Sequence, residues 1–207
     1  MKPKPVLFLD FDDVILPTRE ASVRFFKQHY GSQIPDDVYL CGHNLMELVF
    51  AHLPEDSVPT REEFYLHFGK NFLASLEWHE GIEPMKGSIE VIPQLSKQYD
   101  LWVATARLSY GRPVVKHLLS TFFPGHIKGV HHVWEHTEGL EFAGTPKKDF
   151  ASRFEHRRAF FDDNPIEIRE MIGTVDSFLF DPLGYHLELE DIPNRIQSWE
   201  EIGNLFL

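Results

Sequence analysis

The feature that most limits the fold is an unbroken apolar run near the start of the chain that stops at a group of acids. Val6–Leu9 is followed by Asp10, Asp12 and Asp13 within four positions. A run this short and wholly apolar predicts a strand buried on both faces, as in a parallel sheet covered by helices. Because ligands of open α/β sheets bind beyond the carboxyl ends of the strands, we expect Asp10 and Asp12 at a binding site. The alternative is that these acids only cap a following helix.

The clustered acids also predict a bound cation. Like charges held together repel and raise one another's pKa unless a proton or a cation is shared between them. Oxygen ligands favour a hard divalent ion, so Mg²⁺ is the expected cofactor.

The rest of the chain divides into two kinds of pattern. Residues 17–85 read as helical and contain no strand pattern, whereas residues from 86 onward alternate between helix and strand. Such alternation predicts an α/β fold with a mostly parallel, Rossmann-like sheet covered by helices. We therefore expect a core domain of residues 1–16 and 86–207, interrupted by an inserted helical cap at 17–85. At 207 residues and 43% hydrophobic content, the chain can bury such a core.

Cap signals place the helices of the insertion. Thr18 is the expected N-cap of a first helix that Gly31 ends, and Asn44 opens a short helix that stops by Pro54. Thr60 with Glu63 forms a capping-box pattern before a further helix. Apolar residues recur there at helical spacing and predict the core of the cap rather than a platform for stacking bases: Phe64, Phe68, Phe72 and Leu76.

The core elements follow from the same signals. Ile89, Ile92, Leu95 and Tyr99 form a helical face, although Pro93 implies a kink or a start later than Ser88. The expected strands are Leu101–Thr105, Ile127–Trp134, Ala159–Asp163 and Ser177–Phe180. The expected further helices are Val114–Phe122, one that starts at Thr145 and Pro146, one opened by Asn164 and Pro165, and Ser198–Leu207.

Polar side chains follow several of these strands. Thr105 ends one strand, Asp162 and Asp163 end another, and Lys147 stands at a helix start. Parallel strands align their carboxyl ends, so these groups are expected beside Asp10. Carboxylates, a hydroxyl, an ammonium and a metal together make a site for a phosphoryl group.

This set, in this order, resembles the haloacid dehalogenase superfamily of phosphohydrolases. Asp10-Phe11-Asp12-Asp13-Val14 matches its first motif, an apolar strand followed by D-x-D-x-[T/V], and Trp102–Thr105 matches the second. Lys147 or Lys148 matches the third, and Phe160–Asp163 matches the acidic fourth. The insertion after the first motif is similar to the helical cap of nucleotidase-like members. Asp13 departs from the family, where Gly is commoner.

The resemblance implies roles for the catalytic residues. Asp10 would attack phosphorus to form an aspartyl phosphate, and Asp12 would protonate the leaving group and then deprotonate water. Thr105 and Lys147 would hold the phosphoryl oxygens. We prefer Lys147 to Lys148 because the residues that follow fit the family's spacing.

The resemblance also implies a ligand set and a substrate-binding set. Asp10, the Asp12 backbone carbonyl and Asp162 would bind Mg²⁺, with Asp163 an outer ligand through water or a partner of the lysine. Asp163 or Asn164 could instead cap the following helix. Phe11, Ala106 and Arg107 join Thr105 and Lys147 in the expected substrate-binding set, although Arg107 could instead pair with surface acids.

Composition limits the partners. The net charge of −12 argues against a nucleic-acid polymer or an anionic membrane, since both require a basic face. Cys41 is the only cysteine, and the N-terminal apolar run breaks at Asp10, which does not fit a signal peptide; we expect a cytoplasmic protein. His131, His132 and His136 lack a zinc-ligand spacing and are expected to be solvated loop residues.

The expected function is a Mg²⁺-dependent phosphomonoesterase acting on a small phosphorylated metabolite, with nucleoside or deoxynucleoside monophosphates the first class to test and sugar phosphates next. The alternatives are a phosphomutase or phosphotransferase on the same fold, a non-catalytic phosphate-binding protein, and a receiver-like signalling domain. The receiver reading is disfavoured because its acidic pair would stand near the first strand, and here the second acidic pair comes last. The sequence gives no expectation for the oligomeric state.

Overall fold

The computed structural model describes residues 3–31, 49–53, 58–136 and 142–207. Within these ranges the strands are β1 (Val6–Leu9), β2 (Asp100–Leu108), β3 (Ile127–His136), β4 (Phe142–Gly144), β5 (Arg157–Asp162), β6 (Asp176–Phe180) and β7 (Arg195–Ile196). They form one sheet in the order β4-β3-β2-β1-β5-β6-β7. Neighbouring strands are parallel except β3 and β4, so the predicted mostly parallel α/β sheet is confirmed.

The α-helices of the described residues are α1 (Arg19–Tyr30), α2 (Arg61–Phe68), α3 (Ser88–Gln98), α4 (Arg112–Phe122), α5 (Lys147–Ala151), α6 (Pro165–Met171) and α7 (Trp199–Phe206). A π-helical turn, Gly69–Leu73, continues α2, and a 3₁₀ turn covers Glu77–His79. Residues 49–50 are also helical, but the helix predicted after Asn44 and the side chain of His136 lie outside the described residues. No described helix is long and apolar enough to cross a membrane.

Strand β1 lies at the centre of the sheet because it has no polar side chain to hydrate. All four residues of Val6–Leu9 are buried, as the apolar run predicted. The register pairs Leu9 with Val103 on one side and with Phe161 on the other. The carboxyl ends of β1, β2 and β5 therefore lie next to one another.

The described part of residues 17–85, which we call the helical insertion, is mainly helical and has its own apolar cluster. Phe64, Phe68 and Phe72 are buried in it, and the rings of Phe68 and Phe72 stack 4.9 Å apart. The prediction that these aromatic residues form a local core is confirmed. Leu76, in contrast, is exposed.

Thr18, Thr60 and Gly31 stand at their predicted cap positions, but one of them makes no side-chain cap. Thr60 and Glu63 form the capping box of α2, and Gly31 ends α1 with a φ of 60° in the left-handed region. Thr18 precedes α1 but makes no side-chain cap, because its hydroxyl donates to Asp12 instead.

Several element boundaries differ from the prediction. Helix α3 begins at Ser88 with Pro93 inside it, so the later start, one of the two alternatives, is wrong. Ile89 is exposed, and Val91 takes its place on the buried face. Strand β2 does not end at Thr105 but continues to Leu108. The short strands β4 and β7 were not predicted, because two or three residues carry too little pattern to show a period.

Candidate active site

Asp10, Lys147 and Asp162 form a buried ionic cluster at the carboxyl edge of the sheet. The Asp10 backbone N–H donates to the Phe161 carbonyl at 2.8 Å, which fixes Asp10 beside the end of β5. The Lys147 ammonium donates to Asp10 Oδ1 at 2.8 Å and to Asp162 Oδ2 at 2.6 Å. All three side chains are at most 7% exposed. The predicted convergence of these residues is therefore present.

Three acidic side chains of the cluster lie close together. Oxygen atoms of Asp10, Asp162 and Asp163 lie within 4.8 Å of one another, and the Lys147 ammonium contacts the first two of these acids. Burial raises the pKa of Asp10 to about 7 and that of Asp162 to about 6, although Lys147 opposes both shifts. Burial, and then the nearby Asp13, raise the pKa of Asp163. The opposite charges of Asp10 and Asp162 hold the pKa of Lys147 above its usual range despite its burial.

The geometry separates the two candidate lysines. Lys147 is the first residue of α5 and is 2% exposed, with its ammonium on Asp10. Lys148 is exposed at the next position. A lysine in a first helical turn opposes the helix dipole, and the carboxylates at Lys147 compensate for that.

Asp12 lies apart from the acidic cluster and has its own partners. Arg107 Nε donates to Asp12 Oδ2 at 2.9 Å, Arg107 Nη2 donates to Asp12 Oδ1 at 2.7 Å, and the Thr18 hydroxyl donates to Oδ1 at 2.7 Å. Burial alone would raise the pKa of Asp12, but the charge and hydrogen bonds of Arg107 outweigh it, and the pKa lies below its ordinary value. Asp12 is therefore held as a carboxylate. The alternative that Arg107 pairs with surface acids is wrong, because its partner is Asp12 and its side chain is 1% exposed.

Thr105 lies within β2, beside the carboxyl end of β1. Thr105 is fully buried, and its hydroxyl oxygen accepts from the Arg107 backbone N–H at 3.1 Å. A hydroxyl that accepts one hydrogen bond can still donate another. The Phe11 ring is buried with the Arg107 guanidinium 4.9 Å from its centre, whereas Ala106 is exposed.

The segment after Asp12 is fixed by unusual backbone geometry. Asp13 has a φ of 54°, a left-handed conformation that Gly adopts without strain and Asp tolerates. Its carboxylate accepts from the Arg19 backbone N–H at 3.2 Å at the start of α1. Burial, and then Asp12, raise the pKa of Asp13 to about 7. The Trp199 indole donates to the Val14 carbonyl at 2.8 Å and ties this segment to the core.

The alternatives for the second acidic pair and for the histidines are resolved by contacts. Asn164 caps α6 through Ile166, so the cap role does not fall on Asp163. His131 and His132 lie on β3 and are not solvated loop residues as predicted. His131 Nε2 donates to the Thr145 carbonyl at 2.7 Å, and His132 is buried with Nδ1 3.2 Å from the Arg107 carbonyl.

One residue of the site gave no signal in the sequence. His79, in the helical insertion, is 2% exposed, and its Nε2 lies 2.9 Å from Arg107 Nη2. A single histidine in a helical segment has no spacing that would relate it to a strand end elsewhere in the chain. Only the packing of the insertion on the core brings it to Arg107.

No protein-family model matches the sequence, and no curated protein matches it significantly. Solved structures do share its fold. YfnB of Bacillus subtilis, assigned as a HAD hydrolase and bound to magnesium, is 18% identical with a TM-score of 0.59, and the match covers 99% of each chain. A protein of Lactobacillus delbrueckii assigned as a phosphoglycolate phosphatase is 16% identical with a TM-score of 0.66, over 100% of this chain and 99% of that one.

CbbY of Rhodobacter sphaeroides, solved as a variant in complex with xylulose-(1,5)-bisphosphate, is 17% identical with a TM-score of 0.64, and covers 97% of this chain and 96% of its own. Similarity at these identities establishes the fold. The chain therefore has the α/β fold of haloacid dehalogenase-like hydrolases, as its motifs predicted.

Proposed function

We propose that this chain is a Mg²⁺-dependent phosphomonoesterase of the haloacid dehalogenase type, acting on a small phosphorylated metabolite through an aspartyl phosphate. The observation that carries the proposal is the Asp10 carboxylate, enclosed at the strand edge between Lys147 and two further acids. A buried carboxylate with an ammonium beside it is arranged to meet an electron-poor phosphorus whose oxygens need positive charge.

The acidic cluster fits a magnesium ion. Its donors are carboxylate oxygens, which Mg²⁺ prefers, and they lie within 4.8 Å of one another. Acids held this close repel one another, and a divalent ion would relieve that repulsion. Asp10, Asp162 and the Asp12 backbone carbonyl would hold the ion, with Asp163 as an outer ligand. When bound, the ion supplies positive charge to the phosphoryl oxygens.

The residues of the chain then divide the reaction into two steps. Asp10 attacks phosphorus, forming an acyl-phosphate bond while the ester P–O bond breaks, and Asp12 gives its proton to the leaving oxygen. Asp12, now a carboxylate, takes a proton from the water that attacks phosphorus and releases Asp10. The described contacts of Asp12 with Arg107 and Thr18 match this second form. Thr105 and Lys147 hold the phosphoryl oxygens in both steps.

The enclosure of the site favours a small substrate. Asp10 is 5% exposed, Lys147 2% and Thr105 0%, so substrate entry requires the surrounding segments to move, and a large phosphorylated surface would not fit. The structural neighbours named for phosphoglycolate and bound to a sugar bisphosphate favour phosphorylated acids and sugars. Nucleoside and deoxynucleoside monophosphates remain candidates from the sequence resemblance, and the described site shows no group that would select a base.

The test is phosphate release from matched concentrations of phosphoglycolate, sugar phosphates, nucleoside monophosphates and a phosphorylated peptide. Activity on one of the small esters with Mg²⁺, abolished in Asp10→Asn, is the expected result. A preference for the peptide would contradict the enclosed site. Phosphate release that persists in Asp10→Asn would contradict the aspartyl phosphate.

A further inference from the structure

His79 is a buried histidine of the helical insertion whose hydrogen bonds define its protonation. Its Nδ1 lies 2.7 Å from the Ser75 carbonyl oxygen, which can only accept, so Nδ1 carries a proton and donates. Its ring packs 5.0 Å from the Phe72 ring. Burial, and then the Arg107 charge, lower the pKa of His79 to about 4, so the ring is neutral near pH 7. Its Nε2 is consequently a hydrogen-bond acceptor.

That acceptor meets a guanidinium that also donates to Asp12. Arg107 Nη2 donates to His79 Nε2 at 2.9 Å and to Asp12 Oδ1 at 2.7 Å, while Nε donates to Asp12 Oδ2 at 2.9 Å. The Phe11 ring lies 4.9 Å from the guanidinium carbon. The imidazole and the ring together limit how the guanidinium can turn against the carboxylate.

A neutral imidazole is suited to this task. An acid at the same position would accept the same hydrogen bond, but its charge would compete with Asp12 for Arg107. A lysine would repel the guanidinium. An imidazole fixed by Ser75 orients Arg107 and leaves the positive charge for Asp12.

We propose that His79 is a positioning residue that holds Arg107 in its paired hydrogen bonds to Asp12, and so sets the position of the Asp12 carboxylate during turnover. The inference rests on the proposed function, because Asp12 acts there as acid and base. His79 belongs to the insertion, whereas Asp12 and Arg107 belong to the core. Movement of the insertion away from the strand edge would therefore break the contact between Arg107 Nη2 and His79 Nε2, and Arg107 would no longer be held against Asp12.

The experiment compares His79→Leu, which removes the acceptor, with His79→Gln, whose amide oxygen can replace it. Misplacing a catalytic group by about 1 Å costs roughly 100-fold in rate, so we expect kcat of His79→Leu to fall about 10- to 100-fold with KM within about 2-fold. His79→Gln should recover kcat to within about 3-fold. His67→Gln is the matched control, since His67 also lies in the insertion and hydrogen-bonds Tyr30 but does not contact Arg107; it should keep the kcat of the unaltered protein.

A double-mutant cycle separates positioning from support of the insertion. If His79 acts through Arg107, His79→Leu should cost nothing further in an Arg107→Met background. Additive losses, or a kcat of His79→Leu equal to that of the unaltered protein, would overturn the proposal. So would failure of His79→Gln to recover kcat while its melting temperature stays that of the unaltered protein.

A measurement without turnover distinguishes this inference from the proposed function. Nitrogen-15 NMR of the histidine side chains should show His79 as the neutral Nδ1–H form at pH 7, with its Nε2 signal shifted in Arg107→Met. An Nε2–H or doubly protonated ring would overturn the inference even if the protein is an active phosphatase. Absence of phosphate release from every ester, with the NMR result as expected, would instead refute the proposed function. Should His79→Leu fail to fold, His79→Gln and the NMR result decide the question.

Discussion

Replacing Lys147 with methionine tests the electrostatic basis of the site. The side chain is 2% exposed and lies within 2.8 Å of Asp10 and 2.6 Å of Asp162, so Lys147→Met leaves two buried carboxylates without their ammonium. Removing one partner of a buried ion pair destabilises a protein by about 3–5 kcal/mol. For a chain of this size, each kcal/mol shifts the melting temperature by roughly 2–4 °C. The variant should therefore melt about 6–20 °C lower in excess chelator.

Magnesium should reduce that difference. A ligand at 100 times its Kd stabilises the folded state by about 2.7 kcal/mol. In Lys147→Met the ion would also compensate the carboxylates that lost their ammonium, so Mg²⁺ should raise the melting temperature of the variant more than that of the unaltered protein. Thermal melts in chelator give the difference in melting temperature between the two proteins, and melts across a Mg²⁺ titration give the rise for each protein.

Lys148→Met is the control, because Lys148 is exposed at the adjacent position and should change stability by less than about 0.5 kcal/mol. Equal melting of Lys147→Met and the unaltered protein in chelator would refute the reasoning. So would a Mg²⁺ titration that widens the gap between them.

Three further predictions concern chemistry and pH. Asp10→Asn should abolish turnover, whereas Asp12→Asn should slow both steps yet keep Mg²⁺ affinity, since the proposed ligand at Asp12 is the backbone carbonyl; steady-state rates and calorimetric Mg²⁺ titrations check this, and near-native turnover of Asp10→Asn would contradict it. Chelator should stop phosphate release, and Ca²⁺ should restore little of it because Ca²⁺ takes looser, higher coordination; equal rates in chelator would exclude the metal. The pKa of His79 is lowered from 6.5 to about 4, so the unfolded state binds a proton that the folded state does not, and stability contributed by the neutral ring is lost as pH falls from 6.5 to 4. In urea unfolding, the free energy of unfolding should fall by about 3 kcal/mol between pH 6.5 and pH 4, and this loss should be absent in His79→Gln. The same pH dependence in both proteins would contradict the lowered pKa of His79.

The parts of the site that the sequence predicted share one physical basis. An apolar strand buried on both faces must end where the chain meets polar surroundings, and parallel strands end at one edge. Asp10, Thr105 and Asp162 could therefore be grouped without knowledge of the strand order. Lys147 could be placed with them because a lysine in a first helical turn requires an anion nearby.

The partners of Asp12 depended on tertiary packing. Arg107 is 95 residues from Asp12 in the chain and 28 from His79, and no periodic pattern relates the three. The same is true of Thr18, whose hydroxyl reads as an N-cap in sequence but is directed to Asp12 once α1 packs at the strand edge. The type of a residue determines which hydrogen bonds its side chain can make, whereas the fold determines which partner lies within reach. Periodicity thus determined the sheet edge and its acids. Only tertiary packing determined that Arg107 of the core pairs with Asp12 and that His79 of the helical insertion contacts Arg107.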